Sequence, residues 1–418
     1  MPYFGWDEEH LSVVRNSIQK FCEKELTREY VRWMDENCDF PPDEIWKKLA
    51  DFGLFSMEAG VSPYEQIVVQ EELATASVAV AISIGASIRF GQGFIGFLGN
   101  EDQKKEFLPK LEQGEVKMCM ALTEPGGGTD ILGGLRTTAV EDGNDYVLNG
   151  QKIFATGAHV ADYLVVIAIT DKNAADKKES WSIFLVDAKT PGITIRKIPK
   201  LGIHACGTAE IFLEDVRVPK ENLLGPKNLA FGFLVGGKTQ AKAIAALFSS
   251  RKGSGDSAGT DAGGGSFTQA LTILNMERVS TALLSLGIAN AAYRDAFNYA
   301  LEREAFGKPI GQFQIIQNYL VEMAIQIENA RNLIYGTVAL SMMGKPNAIQ
   351  AQMSKIVAAR ASEYCSIKGM EILGGYGFTM EYDMQRHFRD YKQMVFAPIT
   401  DEMAINVIAR MLGLPKSY

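Results

Sequence analysis

Tyr146-Val-Leu-Asn149-Gly150-Gln-Lys-Ile153-Phe154 lies in the middle third of the chain and sets its period. Apolar residues flank an Asn-Gly pair, the strongest short signal for a two-residue β-turn, so the stretch predicts a hairpin. Tyr163 to Ile169, Trp181 to Val186 and Ile211 to Val218 follow as further short apolar runs. Seven or so strands without intervening helices predict a compact antiparallel barrel or sandwich over residues 116–226.

On both sides of this block the period becomes helical. Leu11, Val14, Ile18 and Phe21 recur at spacings of three and four with Asp7 placed to cap. A second helix starts at Pro42, carries Ile45, Trp46, Leu49 and Phe52 on one side, and stops at Gly53. Val78 to Leu98 is apolar enough to suggest a membrane span. Arg89 in its middle, with Gly85, Gly91, Gly93 and Gly96 around it, argues instead for a buried helix followed by a turn. Residues 1–115 are thus an expected N-terminal helical domain, and residues 267–418, helical again, an expected C-terminal bundle. Between β-domain and bundle, 227–266 reads as an insertion: Lys242 to Phe248 suits a short helix, and Ser249 to Ser266 has Gly/Ser linker composition. The fold class expected is α+β, mostly α, in the order helical domain, β-barrel, helical bundle.

Hydrophobic residues make up 47% of the 418 and charged residues 22%, an ordinary globular balance. The net charge of −8 and the lack of a dense Lys/Arg stripe speak against nucleic acid as a partner. Five scattered cysteines without a CxxC pair and four scattered histidines predict a reduced, cytoplasmic protein with no metal site. The N-terminus lacks the basic start and apolar core of a secretory signal, and no membrane span is expected.

Ala121-Leu-Thr-Glu-Pro-Gly126-Gly127-Gly128-Thr129-Asp130 leaves a strand and enters a glycine-rich loop. Such a loop lets backbone N–H groups approach an anion or a flavin ring, and it equally suits an ordinary turn. Three more stretches accompany it: Arg303-Glu-Ala-Phe306-Gly307-Lys-Pro-Ile-Gly-Gln-Phe313-Gln314, Glu371-Ile-Leu-Gly374-Gly375-Tyr-Gly377-Phe, and Arg389-Asp390-Tyr-Lys392. Together the four resemble the acyl-CoA dehydrogenase family, nearly end to end apart from the insertion. The resemblance implies an FAD cofactor. Leu122, Thr123, Gly128 and Thr129 would contact the flavin and its phosphates. Phe154, at a place often held by Trp, and Thr156 would sit against the isoalloxazine ring. Arg303, Phe306 and Gln314 would reach the FAD of a neighbouring subunit, which implies a homo-oligomer, commonly a tetramer. Gly374 and Gly375 would admit the adenosine diphosphate portion, beside Glu371 where Gln is common. Thr400, heading Thr400-Asp401-Glu402-Met403, joins the same cofactor set.

Oxidising a thioester at Cα–Cβ requires a carboxylate to take the α-proton while hydride leaves Cβ for the flavin. In many members that Glu follows Arg-Asp-x-Lys, but here Pro398 stands at its place. Leu274-Asn-Met-Glu277-Arg278 resembles the alternative, isovaleryl-CoA dehydrogenase-like placement, which makes Glu277 the expected base, with its pKa raised by burial. Arg278 resembles the residue that approaches the CoA phosphates or adenine, with a plain helix salt bridge as the alternative. By the same resemblance Arg89 would fall near the bottom of the acyl pocket, where it would either hold a substrate carboxylate or bond carbonyls at a helix end. The implied activity is that of an FAD-dependent acyl-CoA dehydrogenase passing electrons to an electron-transfer flavoprotein. An enoyl-CoA reductase, an acyl or aminoacyl carrier-protein dehydrogenase, and a redox-silent flavin- or thioester-binding scaffold remain open alternatives.

Overall fold

Helical spacing and well-made caps build the first layer of the molecule. The computed structural model describes residues 8–55, 62–234 and 273–415; the Asp7 cap, the Lys242–Phe248 helix and the Ser249–Ser266 linker of the sequence reading lie outside them. The first layer holds α1 (Glu8–Glu25), α2 (Arg28–Asn37), α3 (Asp43–Asp51), α4 (Pro63–Ala76), α5 (Val78–Ala86), α6 (Phe94–Leu98) and α7 (Glu101–Glu112). Ser62 with Glu65 and Asn100 with Gln103 form reciprocal capping boxes at the starts of α4 and α7. The sequence reading passes over α2, whose start is marked by Thr27 accepting from the Tyr30 N–H. The buried helix read at Val78–Leu98 runs through in three pieces, α5, a π-helix at Ser87–Gly93, and α6. The glycines there admit neighbours rather than stop the helix: a Cβ at Gly91 would lie 2.7 Å from Leu111 Cδ2. Val78–Leu98 is long and apolar enough for a span, but 72% of its apolar window is buried inside the molecule.

The middle of the chain forms strands β1 (Met118–Ala121), β2 (Thr138–Asp142), β3 (Asp145–Thr156), β4 (Tyr163–Ile169), β5 (Trp181–Asp187), β6 (Ile193–Lys197), β7 (Thr208–Pro219) and β8 (Leu223–Leu224), with a short α8 (Ile131–Gly134) after β1. They make one mixed sheet in the order β6-β7-β3-β2-β4-β5-β8, with β1 pairing β4 in parallel. This corrects the antiparallel barrel: β6 and β8 do not pair with each other, so the sheet stays open. Bulges between Leu148 and Gly150 and between Lys152 and Ala155 bend the long β3–β7 pair without closing it.

Asn149-Gly150 is not a turn either. It lies inside β3, where Asn149 exchanges two side-chain hydrogen bonds with Asp215 across the bulge and Gly150 makes room for Thr137, whose Oγ1 would be 2.4 Å from a Cβ. The hairpin turn falls at Gly143-Asn144, between paired Asp142 and Asp145, with Gly143 at φ +61°. After β8, α9 (Ala230–Leu234) packs back on the sheet through Phe231 against Trp181.

The C-terminal layer comprises α10 (Ile273–Glu302), the two-stranded ribbon β9 (Glu304–Ala305) and β10 (Lys308–Pro309), α11 (Gln314–Met342), α12 (Ala348–Leu373), α13 (Met384–Phe396) and α14 (Asp401–Met411). Two polar knots lock the layers. Fully buried Glu71 of α4 accepts from Arg331 Nε at 3.0 Å, Asn290 Nδ2 at 3.2 Å and the Tyr335 hydroxyl at 2.7 Å, with Arg15 Nη2 3.4 Å away. Beside it α4 and α10 touch so closely that a Cβ on Gly287 would lie 2.4 Å from Ala74 Cβ. In the second knot, Arg389 of α13 pairs with Asp35 of α2, and buried Asp390 accepts from the Ile203 N–H of the β-domain. The Arg-Asp motif thus joins all three layers.

Burial alone would raise the Glu71 carboxyl, but the charges of Arg331 and Arg15 outweigh it and the net shift is downward. For Asp295, burial is likewise outweighed by the His387 hydrogen bond and charge and by Arg28, which hold it at about 2. Depressed carboxylates stabilise the fold above their unfolded pKa of roughly 4, and that stability disappears as pH falls through the folded values. Chemical denaturation should therefore show stability level down to about pH 5 and falling steeply toward pH 2. Arg331→Met should lose about 2–3 kcal/mol at pH 7.

Candidate active site

Near the start of α10, Glu277 is half-buried, and Ser280 follows it on the same face one turn later. Ser280 Oγ accepts from Arg89 Nη1 at 2.6 Å and from Gln70 Nε2 of α4. Arg89 extends from the π-helix back over Gly85, where a Cβ would lie 3.0 Å from Nη1, and its guanidinium rests 5.7 Å from the Phe90 ring centroid. The structure thus brings the expected base and Arg89 into one cluster. Burial pushes the Glu277 carboxyl up, against the opposing charges of Arg89 and Arg278. The same burial pushes both arginines down, against the charge of Glu277. Arg278 is half-buried, and Pro398 is exposed.

The π-helix also packs on β1, with Met118 Cβ 3.6 Å from where a Gly91 Cβ would be, so it stands between the Glu277 cluster and the glycine-rich loop. That loop rests on a buried ion pair. Fully buried Lys152 donates to the Leu122 carbonyl at 3.1 Å and to Glu124 at 2.8 Å, while Glu124 accepts from the N–H groups of Arg136 at 2.7 Å and Thr137 at 2.9 Å. Burial pushes Lys152 down to about 8 against the pull of Glu124; Glu124, opposed by burial but held by Lys152 and its N–H donors, lies below the usual range. With so many donors on one carboxylate, the charged pair is the state the geometry favours.

The Ile153 N–H donates to the Thr123 carbonyl at 2.9 Å, which sets Leu122 and Thr123 beside Phe154. Phe154 is held at φ +59°, rare for a bulky residue, and the residue is 63% exposed. Thr156 ends the strand opposite Thr208. Among the described residues no atom lies within 4 Å of a would-be Cβ on Gly126 or Gly128, whereas Gly127 packs on Gly134. An open backbone edge beside a presented aromatic ring fits the flavin half of FAD.

A second cluster lies on the C-terminal layer. Phe306 is at φ +54° and 96% exposed at the tip of the β9–β10 ribbon, and Gln314, at the start of α11, is exposed too. The Arg303 guanidinium lies 5.8 Å from the Tyr376 ring, next to exposed Gly374 and Gly375, neither of which has a described atom within 4 Å of a would-be Cβ. The carboxylate at Glu371, out of place beside a pyrophosphate, is paired with Lys368 at 2.7 Å. These features fit the dinucleotide half of FAD. Thr400 caps α14 by accepting from the Met403 N–H at 3.2 Å, which leaves its hydroxyl hydrogen to donate elsewhere. Sequence reading missed Ser280, Gln70 and the Lys152–Glu124 pair. Glu124 stood inside the quoted loop, but nothing local marks a partner 28 residues away.

Comparisons with known proteins follow the same division. The acyl-CoA dehydrogenase N-terminal domain matches residues 8–115, the middle domain 119–216 and the C-terminal domain 264–413. The caffeyl-CoA reductase-Etf complex subunit CarC of Acetobacterium woodii is 33% identical over 97% of this chain and 98% of its own. The short-chain specific acyl-CoA dehydrogenase of Megasphaera elsdenii is 34% identical over 82% of this chain and 79% of its own. Among solved structures, butyryl-CoA dehydrogenase from Megasphaera elsdenii superposes with a TM-score of 0.81 at 31% identity, covering 96% of this chain and 97% of that one.

Removing the cation under the loop strands a buried carboxylate. Lys152→Met should cost about 3–5 kcal/mol and lower the FAD content of the purified protein, and adding Glu124→Gln should restore part of both. A single substitution that melts like wild type with full FAD would show that the pair does not support the loop.

Proposed function

The chain belongs to the acyl-CoA dehydrogenase family, and from that premise we infer that Glu277 is the group that takes the α-proton of the substrate. The protein is an FAD-dependent enzyme acting on the CH–CH bond beside the thioester of an acyl-CoA. Bound FAD supplies the hydride acceptor.

The observation that carries the assignment is the setting of Glu277: desolvated, on a helix fixed by the Glu71 knot, and within the field of the Arg89 and Arg278 charges. Burial makes the carboxylate a stronger base, since taking a proton removes a charge from a poorly solvated place. The charges of Arg89 and Arg278 oppose that rise. Arg278 carries the forked donors suited to a phosphate of CoA. Leu122, Thr123, Gly128, Thr129, Phe154 and Thr156 would hold the flavin half of the cofactor. Arg303, Phe306, Gln314, Gly374, Gly375 and Thr400 would hold the dinucleotide half of a neighbouring subunit's cofactor.

That division supports a homotetramer. Phe297 and Leu301 of α10 with Val321 and Ile325 of α11 are exposed along a shared apolar groove, which a second copy would cover. Electron-transfer flavoprotein is the proposed redox partner, and the relation to CarC supports it. Five free thiols suit a cytoplasmic enzyme. A second reading, reduction of an enoyl-CoA by the reverse reaction, is supported by the likeness to CarC and to the 3-(aryl)acrylate reductase of Clostridium sporogenes, 31% identical over 97% of this chain.

Anaerobic titration with acyl-CoAs should bleach the flavin of the wild type, while Glu277→Gln should bind the same ligands and bleach at least about 1,000-fold more slowly. Equal bleaching by both proteins would remove Glu277 from the mechanism. Val321→Glu with Ile325→Glu should give a smaller species by light scattering that has lost most of its FAD.

A further inference from the structure

Arg89 is the one charged residue of the Val78–Leu98 run, and three elements seat its guanidinium. It lies over Gly85 of α5, where a Cβ would be 3.0 Å from Nη1 and 3.2 Å from Nη2. From α10, the buried Ser280 hydroxyl oxygen accepts from Nη1 at 2.6 Å, the one hydrogen bond Arg89 makes among the described residues. From α4, Gln70 Nε2 donates to that same oxygen. No backbone carbonyl accepts from Arg89, so the helix-end alternative raised by the sequence does not apply, and Nε is left without a partner. A buried cation with a single neutral partner is costly, and such groups concentrate where function uses them. What the seat withholds is a direct ion pair. Ser280 follows Glu277 by three residues on one face of α10, about 4.5 Å along the axis, so the group that holds Arg89 stands within a side chain's length of the base. Yet Arg89 forms neither a hydrogen bond nor an ion pair with Glu277 and acts on it through charge alone.

We propose that Ser280, braced by Gln70, is a positioning residue of the reaction: it holds the Arg89 guanidinium near Glu277 but off it, which leaves the carboxylate oxygens free for the α-proton of the substrate. The proposal rests on the assignment of Glu277 as the base. A guanidinium fork in contact with a carboxylate occupies both oxygens with parallel hydrogen bonds, and a carboxylate so gripped is a weaker base. Keeping the two apart takes a competing acceptor on the cation's side. A serine oxygen has lone pairs for two donors; Arg89 takes one, and Gln70 takes the other and fixes the hydroxyl. Held at that distance, the cation tempers the upward push of burial on Glu277 without cancelling it. Among the described residues, the charges that reach Glu277 are those of Arg89, from the π-helix, and Arg278, from α10 itself. Of the other elements packed on α10, α4 brings the neutral Gln70, its Glu71 being taken up in the knot, and α5 and α9 carry no titratable side chain.

The test follows the rate of anaerobic flavin bleaching against pH in the FAD-loaded protein, using whichever of butyryl-, hexanoyl- and octanoyl-CoA bleaches the wild type fastest, with calorimetric Kd for the same ligand. Bleaching needs the ionised base, so its rate rises with pH through the pKa of Glu277. Ser280→Ala frees Arg89 to close on Glu277: the rise should move about one pH unit toward acid, the plateau rate should fall about tenfold, and Kd should change less than about threefold. Gln70→Leu should move the rise the same way by less, and Ser280→Thr, which keeps the hydroxyl, should behave as wild type. Arg89→Met removes the cation and should move the rise toward alkaline pH. Loss of a merely structural serine would not produce these opposed signs. A Ser280→Ala profile that stays at the wild-type pH, or moves with that of Arg89→Met, overturns the proposal and leaves Glu277 as the base. If no acyl-CoA bleaches the wild type, or Glu277→Gln bleaches as fast, the assignment of the base falls and the proposal with it. If Ser280→Ala does not fold, the sign of the Gln70→Leu shift decides.

Discussion

One carboxylate buried without any exposure, Glu71, sets the geometry on which the rest of the site depends. A lone charge there would be prohibitive, and it is tolerated because α1, α10 and α11 each bring a donor to it. Satisfying all of them fixes how far α10 slides along α4. The preceding residue on α4, Gln70, then meets Ser280, and Ser280 meets Arg89. Each α-helical residue turns its side chain by about 100°, so a slip of one position would face Glu277 away from Arg89. The close passage of Gly287 against Ala74 holds the same register sterically.

The β-domain solves a different problem, that of presenting backbone and an aromatic ring to a flat ligand. Lys152 is spent beneath the loop rather than in it, tying the Leu122 carbonyl and Glu124 from below. Phe154 and Phe306 stand in a backbone region bulky residues avoid, and each is mostly exposed. Strain of order 1–3 kcal/mol per residue, accepted at two exposed phenylalanines, is more readily understood as preorganisation for a ligand than as packing.

Much of this was legible in the chain because it is local or because spacing carries it. The apolar spacing of α1 and α3 and the strands at Tyr163–Ile169 and Trp181–Asp187 need no tertiary knowledge. What failed depended on partners distant in sequence. Asn149-Gly150 has the chemistry of a turn, yet Asp215 and Thr137 make it a bulge in a continuous strand. Closure of the sheet could not be judged without knowing that β1 would lie parallel to β4. Glu371, which looked unsuited to a phosphate neighbourhood, is answered by Lys368 one turn away, a pairing that helical spacing could have suggested.

The π-helix at Ser87–Gly93 bears on how such a protein diversifies. A π-turn accommodates about one residue more than an α-turn would, while the helical stretches on either side, Val78–Ala86 and Phe94–Leu98, keep their packing. Insertion or deletion of a single codon in this segment would re-aim Arg89 without disturbing either flank. The placing of that guanidinium against Ser280 is thereby uncoupled from the folding of the flanks, and a lineage carrying this segment can re-space the groups around Glu277 by a change in length rather than by replacing residues.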